Sequence, residues 1–393
     1  MDIRNLFLRH VAQTSPAPLM TEIADAKGMY LHTSGGQRIM DLISGIGVSA
    51  LGHCHPAVVE AVQQQAARYM HTMVYGEFVL TPQVSLAKRL ADLLPDPLEA
   101  VYFVNSGAEA VEGALKLAKK VTGRHEIIAC RNAYHGSTHG AMSLMSSETY
   151  TRPFRPLLPQ IRFIDYNDPS QLDLITTRTA AVIMETIQAE SGLYTPEDDY
   201  LKQVENRCRE KGALFILDEI QCAFGRTGHF FAFSHYNVVP DVLLLAKGMG
   251  GGMPIGAFIS SSDHMRTLSD NPALSHITTF GGHPVNCAAA LATIETIQEN
   301  QLLRHIPEKI DAFRKNLAHP SIREIREGGL WFALDLEDSA LLQRVVRSAV
   351  KAGVLVDWFL FNDHSIRVAP PLIITIPEII KACQILHTVL DDC

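Results

Sequence analysis

Charge is scarce in this chain and forms no long block. Of 393 residues 19% are charged, and 34 basic against 42 acidic side chains leave a formal net charge of −8. There is no basic stripe of the kind that tracks a nucleic-acid backbone. Long apolar runs are missing too, and no window approaches the ~20 apolar residues of a membrane span. Neither nucleic acid nor a membrane is therefore an expected partner. The 7 cysteines are odd in number, scattered at 54, 130, 208, 222, 287, 383 and 393, and contain no Cys-x-x-Cys pair. That argues against a disulfide framework and a zinc ribbon, and a reducing, cytoplasmic setting is expected. The opening MDIRNLFLRHVAQTSPAP is too polar for a signal peptide.

What is present is a globular composition, 47% apolar. A chain this long buries about 75% of its unfolded surface and needs no staples. Its length suits two domains, or one large core with an appended lobe. Short apolar runs alternate with amphipathic stretches. The runs at 100–105, 126–130, 161–166, 180–185, 213–218, 241–246 and 256–261 read as strands. Several are continuous, as in strands covered on both faces. The stretch 108–120 reads as a helix with Val111, Leu115 and Ala118 on one face, and 200–212 as another that ends in glycine. The pattern is α/β with a mostly parallel sheet. MYLHTSGGQRIMDL near the start reads as a hairpin turning at Gly35-Gly36. The texture changes at about 287: one long helix over 287–306, short strands in GLWFALDLE and GVLVDW, and a helix after Pro377. The expected division is an N-terminal segment 1–45 that joins a small lobe, a large domain 46–286, and a small α+β domain 287–393.

The most informative stretch is ALFILDEIQCAFGRTG followed by YNVVPDVLLLAKGMGGGMPIGA. Two apolar strands each end in a charge, Asp218 and Lys247. In an open parallel sheet the ligand crevice lies outside the strand carboxyl ends, so both residues are expected to face one site. A desolvated lysine is a Schiff-base nucleophile. A nearby aspartate suits the ring nitrogen of pyridoxal phosphate, which works as a protonated pyridinium. The plainer alternative is a pair of strand-end surface charges. The glycines after Lys247 are read as backbone room beside a flat cofactor. They match no dinucleotide fingerprint, and the chain has no Gly-Lys dipeptide and hence no P-loop. For a phosphate, NSGAEA offers the Ser106 hydroxyl and the N–H groups of Gly107 and Ala108 at a helix start. An ordinary serine N-cap is the alternative. Glu109 in the same turn would repel an anion unless it faces away.

LDEIQxxFGRTG, AKGMGGGMPIGA, VNSGAEAVEGALKLA, AYHGST, TTFGGHPVNCAAA and IRVAPPL stand here in the order seen in the class III aminotransferases. The chain resembles that family from residue 45 to residue 371, and GIGVSALGHCHP is most similar to the acetylornithine aminotransferases. The resemblance implies fold type I of the pyridoxal-phosphate enzymes, with a large mostly parallel-sheet domain and a small α+β lobe. It implies transamination between a primary amine or amino acid, with an ω-amino donor favoured, and a 2-oxo acid such as 2-oxoglutarate or pyruvate. It implies that Lys247 carries the cofactor, that Asp218 pairs with the ring nitrogen and that Gln221 approaches the phenolic oxygen. Ile220 and Tyr134 would cover the two ring faces, and Ser106, Gly107 and Ala108 would hold the phosphate. Thr279 would reach that phosphate from a partner subunit, in a homodimer with its sites at the interface. Glu190 and Arg367 resemble the family's carboxylate switch: Arg367 grips the α-carboxylate and Glu190 neutralises it when the donor lacks one.

One departure stands out. AYHGST places Ser137 where acetylornithine and ornithine aminotransferases carry an arginine for a distal carboxylate, and a serine offers no cationic fork. Arg152 and Arg155 are candidate substitutes. His53 and His55 form His-x-His without a third ligand, so no metal is expected. Cys222 is read as packing. An aminomutase, decarboxylase or racemase could reuse the same frame, and a non-catalytic cofactor-binding regulatory protein is the reading from another class.

Overall fold

The computed structural model describes residues 2–393. Strands β1 (Ile23–Lys27), β2 (Tyr30–Thr33) and β3 (Arg38–Asp41) form an antiparallel meander. The turn between β2 and β3 is the one expected at Gly35-Gly36, with Gly36 at φ +82°. The central sheet has seven strands: β4 (Ala100–Val104), β5 (Glu126–Cys130), β6 (Ile161–Ile164), β7 (Thr179–Glu185), β8 (Leu214–Asp218), β9 (Val242–Leu245) and β10 (Gly256–Ser260). Their order is β4-β10-β9-β8-β7-β5-β6. Only β10 runs against its neighbours. A third sheet, β11 (Glu324–Glu327), β12 (Phe332–Asp335), β14 (Asp357–Phe359) and β15 (Asn362–Val368), is antiparallel, while β13 (Val354–Leu355) crosses to pair in parallel with β3.

The continuous apolar strands follow from two-sided cover. Alternate residues of each strand sort into two separate cores. Ile127, Ala181, Ile183, Ile216 and Leu244 pack with the helix Gly107–Thr122. Ile128, Val182, Met184, Leu217 and Leu245 pack with Leu201, Val204 and Cys208 of the helix Tyr200–Lys211. Val111, Leu115 and Ala118 are all buried. Both helices stop at a left-handed glycine, Gly123 at φ +68° and Gly212 at φ +64°.

The expected helix over 287–306 is two helices. One spans Pro284–Glu299; the next, Ile306–Asn316, follows a 3-10 turn. Gln301 sits at φ +49°, which no helix interior accommodates, and Pro307 starts the second helix without an N–H to donate. The helix Pro284–Glu299 spans the border drawn at 286/287 and packs on the helices Pro56–Arg68 and Thr81–Ala91. GVLVDW also divides, into β13 and β14, and IRVAPPL begins in β15.

Candidate active site

Three parallel strands end side by side in carboxylates or a lysine. β7 ends at Glu185 and β8 at Asp218, and Lys247 starts a 3-10 turn two residues beyond β9. Lys247 has φ +43°, an uncommon backbone for a side chain with a Cβ. Its Nζ donates to Oε1 of Gln221 at 2.7 Å. Burial pulls its ammonium below the usual range; Glu190 opposes that and Arg367 adds to it. Asp218 Oδ1 accepts from the N–H of Ile220 at 2.9 Å, and Oδ2 from Nδ1 of His135 at 2.7 Å. The other ring nitrogen of His135 is buried with no partner among the described residues. Glu185 accepts from the N–H groups of Tyr134 (3.1 Å) and Ala189 (3.0 Å), and burial raises it to about 7. It thereby pins the loop that presents Tyr134 and His135.

A cavity of about 430 Å³ opens over these strand ends. Lys247, Asp218, Gln221 and Ile220 line one side, and Tyr134 and His135 another. Ser106, Gly107 and Ala108 line its end, at the start of the helix Gly107–Thr122, and Ser106 Oγ caps that helix by accepting from Glu109 N–H. Glu109 does not line the cavity: its carboxylate turns back to Asn105, accepting from the N–H and from Nδ2 at 2.8 Å each. The glycines after Lys247 have a different use from the one expected. Gly251 abuts Thr293 and Val58, so it lets helices approach, and of the group only Gly252 faces the cavity. The glycine that makes room at the helix start is Gly107, where a Cβ would lie 2.7 Å from Ile220 Cδ1.

Beside Lys247 a second recess of about 1100 Å³ reaches outward. Arg367 and Glu190 meet at its base, Nη1 donating to Oε1 at 2.7 Å. Asp357 takes the other edge of the same guanidinium, accepting from Nε (2.8 Å) and Nη2 (2.7 Å). Burial raises the Glu190 carboxyl, but Arg367 and Lys247 outweigh it and hold it below the usual range. The walls are largely apolar: Ile46, Met142, Met145, Tyr150, Phe154 and Trp358. Ser137 lines both spaces, and its Oγ lies 3.1 Å from Tyr134 Oη. Neither Arg152 nor Arg155 lines the recess; Arg155 pairs with Glu148 instead.

The twelve side chains and backbone positions singled out in the sequence therefore fall in two adjoining groups, with one outlier. Thr279 is exposed and lies outside the cavity of its own chain. His53 pairs with Asp41 at 2.8 Å, and Cys222 is buried. Sequence reading missed His135, Glu185 and Asp357. His135 was visible inside AYHGST, and Asp357 inside GVLVDW, but only the folded chain sets one against Asp218 and the other against Arg367.

Comparison with known proteins identifies the family. The family model "Aminotransferase class-III" matches residues 11–390. An acetylornithine aminotransferase of Methanocaldococcus jannaschii is 39% identical over 364 residues, covering 90% of this chain and 89% of that protein. One of Archaeoglobus fulgidus is 36% identical over 379 residues, covering 96% and 97%. An ornithine aminotransferase structure from Toxoplasma gondii superposes with a TM-score of 0.92 at 30% identity, covering 99% of this chain and 93% of that one. The chain belongs to the class III aminotransferases, fold type I enzymes whose cofactor is pyridoxal phosphate.

Proposed function

We propose that this enzyme transfers an amino group from a donor bearing a primary, ω-type amine to a 2-oxo acid, with Lys247 and Asp218 as its catalytic pair. The reading is carried by the convergence of Lys247, Asp218 and Gln221 on one cavity beside a helix start. The donor set there fits the cofactor. A buried amine stands at one end, and a hydroxyl with free helix N–H groups at the other, where Gly107 keeps the space clear of a Cβ.

Lys247 would hold the cofactor through its Nζ, Asp218 would keep the ring nitrogen protonated, and Ser106, Gly107 and Ala108 would take the phosphate. Ile220 and Tyr134 would pack on the ring faces. When bound, pyridoxal phosphate supplies the electron sink that makes a proton on the amine-bearing carbon removable. Lys247, whose ammonium burial pulls below its usual range, is then suited to take that proton. His135 orients Asp218 and shields it from water. Thr279 would complete the phosphate site of a partner subunit in a two-fold homodimer, which its exposed position permits.

The donor preference draws support from the recess. Its largely apolar walls, Ser137 in place of an arginine, and the absence of Arg152 and Arg155 from its lining leave no second guanidinium for a distal carboxylate, with His139 the one basic side chain there besides Arg367 and Lys247. Borohydride reduction of the holoenzyme followed by peptide mapping should label Lys247, and a label on any other lysine overturns the assignment. A matrix of amine donors against pyruvate and 2-oxoglutarate tests the substrate side. Efficient use of N-acetylornithine, beside poor use of simple amines, would contradict the preference for donors without a distal carboxylate.

A further inference from the structure

Arg367 carries an unusual load. β14 and β15 form a tight hairpin in which Asp357 stands directly across from Arg367. In an antiparallel pair, directly opposed side chains share a face. Register alone thus delivers the Asp357 carboxylate to the Nε–Nη2 edge of the guanidinium, as a bidentate pair at 2.8 and 2.7 Å. The turn of the same hairpin holds Glu190. Leu360 N–H donates to its Oε2 at 2.8 Å, and Phe361 N–H to its backbone carbonyl at 2.9 Å. The Phe359 ring lies beneath the guanidinium, 5.2 Å from Cζ. Two carboxylates therefore face one cation, and the Arg367 side chain is only 5% exposed.

A planar guanidinium offers two edges to carboxylates, side-on at Nε–Nη2 and end-on at Nη1–Nη2. Asp357 fills the first for good, because strand pairing fixes its backbone. A substrate carboxylate is left with the end-on edge, and reaches it only by displacing Glu190 from Nη1 and Leu360. It then meets a cation already neutralised by Asp357, in a site where burial leaves little water to screen the repulsion. A donor with no carboxylate beside its amine displaces nothing.

We propose that Asp357 is a positioning residue that acts through Arg367. It fixes the guanidinium and cancels its charge, so the enzyme takes amines without an adjacent carboxylate readily and binds the carboxylate of its 2-oxo acid weakly. This rests on the reading of Arg367 and Glu190 as the carboxylate-binding pair. Asp357→Asn keeps the shape and removes the charge. In the holoenzyme it should lower both the KM for pyruvate and the calorimetric dissociation constant of pyruvate by about tenfold, because one negative charge facing the incoming carboxylate is gone. The KM for a carboxylate-free amine should not fall. A purely structural role would instead raise both KM values or depress kcat alone. A pyruvate KM and dissociation constant that stay within twofold of wild type, or rise, overturn the proposal. Arg367→Lys separates the two ideas: if it leaves pyruvate affinity unchanged, the underlying assignment of Arg367 fails, whatever Asp357 does. Should the asparagine variant not fold, the unaltered protein still decides. Propionate should half-inhibit the amine half-reaction only above about 10 mM, and half-inhibition at a lower concentration overturns the proposal.

Discussion

Asp218 is held at both oxygens, by the N–H of Ile220 and by His135. Its position is therefore insured twice, and its charge is the quantity a variant can change. Asp218→Asn should retain the cofactor, detected by its absorbance, yet lose at least about a hundredfold in kcat, since a neutral amide no longer holds the ring nitrogen protonated. Turnover near wild type would contradict the role given to Asp218. Ser137 is the complementary case, an uncharged residue on the lining of both spaces. Ser137→Arg should improve kcat/KM for N-acetylornithine by roughly ten- to a hundredfold, the value of one charged hydrogen bond in a shielded site. The comparison is made beside a simple amine, whose kcat/KM should not improve.

At the scale of elements, the loop after β5 decides whether the site assembles. It carries Tyr134, His135 and Ser137, and it is tied down from below by Glu185 at the end of β7. Gly136 makes the turn possible. Its φ is +124°, and a Cβ there would lie 2.6 Å from that of Ala108, at the start of the helix Gly107–Thr122. Gly136→Ala should thus cost roughly 2 kcal/mol or more in chemical denaturation, through a forbidden backbone and a clash together. It should also loosen the cofactor, because the helix start and the loop must move apart. A variant as stable as wild type would show that the loop relaxes freely.

For the molecule as a whole, folding buries carboxyls that bear a cost at neutral pH. Glu219 accepts from Thr186 Oγ1 and from the N–H groups of Ala232 and Phe233, yet burial still raises it from 4.5 to about 7. Glu185 behaves alike. A folded-state value above the unfolded one means that the folded chain holds the proton longer. The stability contributed by these two carboxyls is then undiminished below pH 4.5, falls as pH rises to about 7, and is flat beyond. Glu219→Gln should flatten this slope between pH 5 and 7, read from urea midpoints at each pH. The slope is the test, since the amide also disturbs the local hydrogen bonds. An unchanged slope would mean that Glu219 is ionised throughout.

The strands of the central sheet were legible because length and composition are local properties: a run of four to seven apolar residues bounded by turns is too short for a helix and reads as a buried strand. Asp218 and Lys247 were legible for the same reason, each standing where such a run stops. The class of fold, the lysine at a strand end and the serine-capped helix start therefore belong to the sequence itself. The break at Gln301 was not legible, because apolar residues continue past it and only packing selects the left-handed turn. Nor were the partners of the site. His135 is 83 residues from Asp218, Glu190 is 177 from Arg367, and no periodicity links such positions. Asp357 looked like one more strand residue until β14 folded back on β15 and set it opposite Arg367. Long-range pairing and burial decided which charges meet, because only the folded chain brings Glu190 and Asp357 to the two edges of the Arg367 guanidinium.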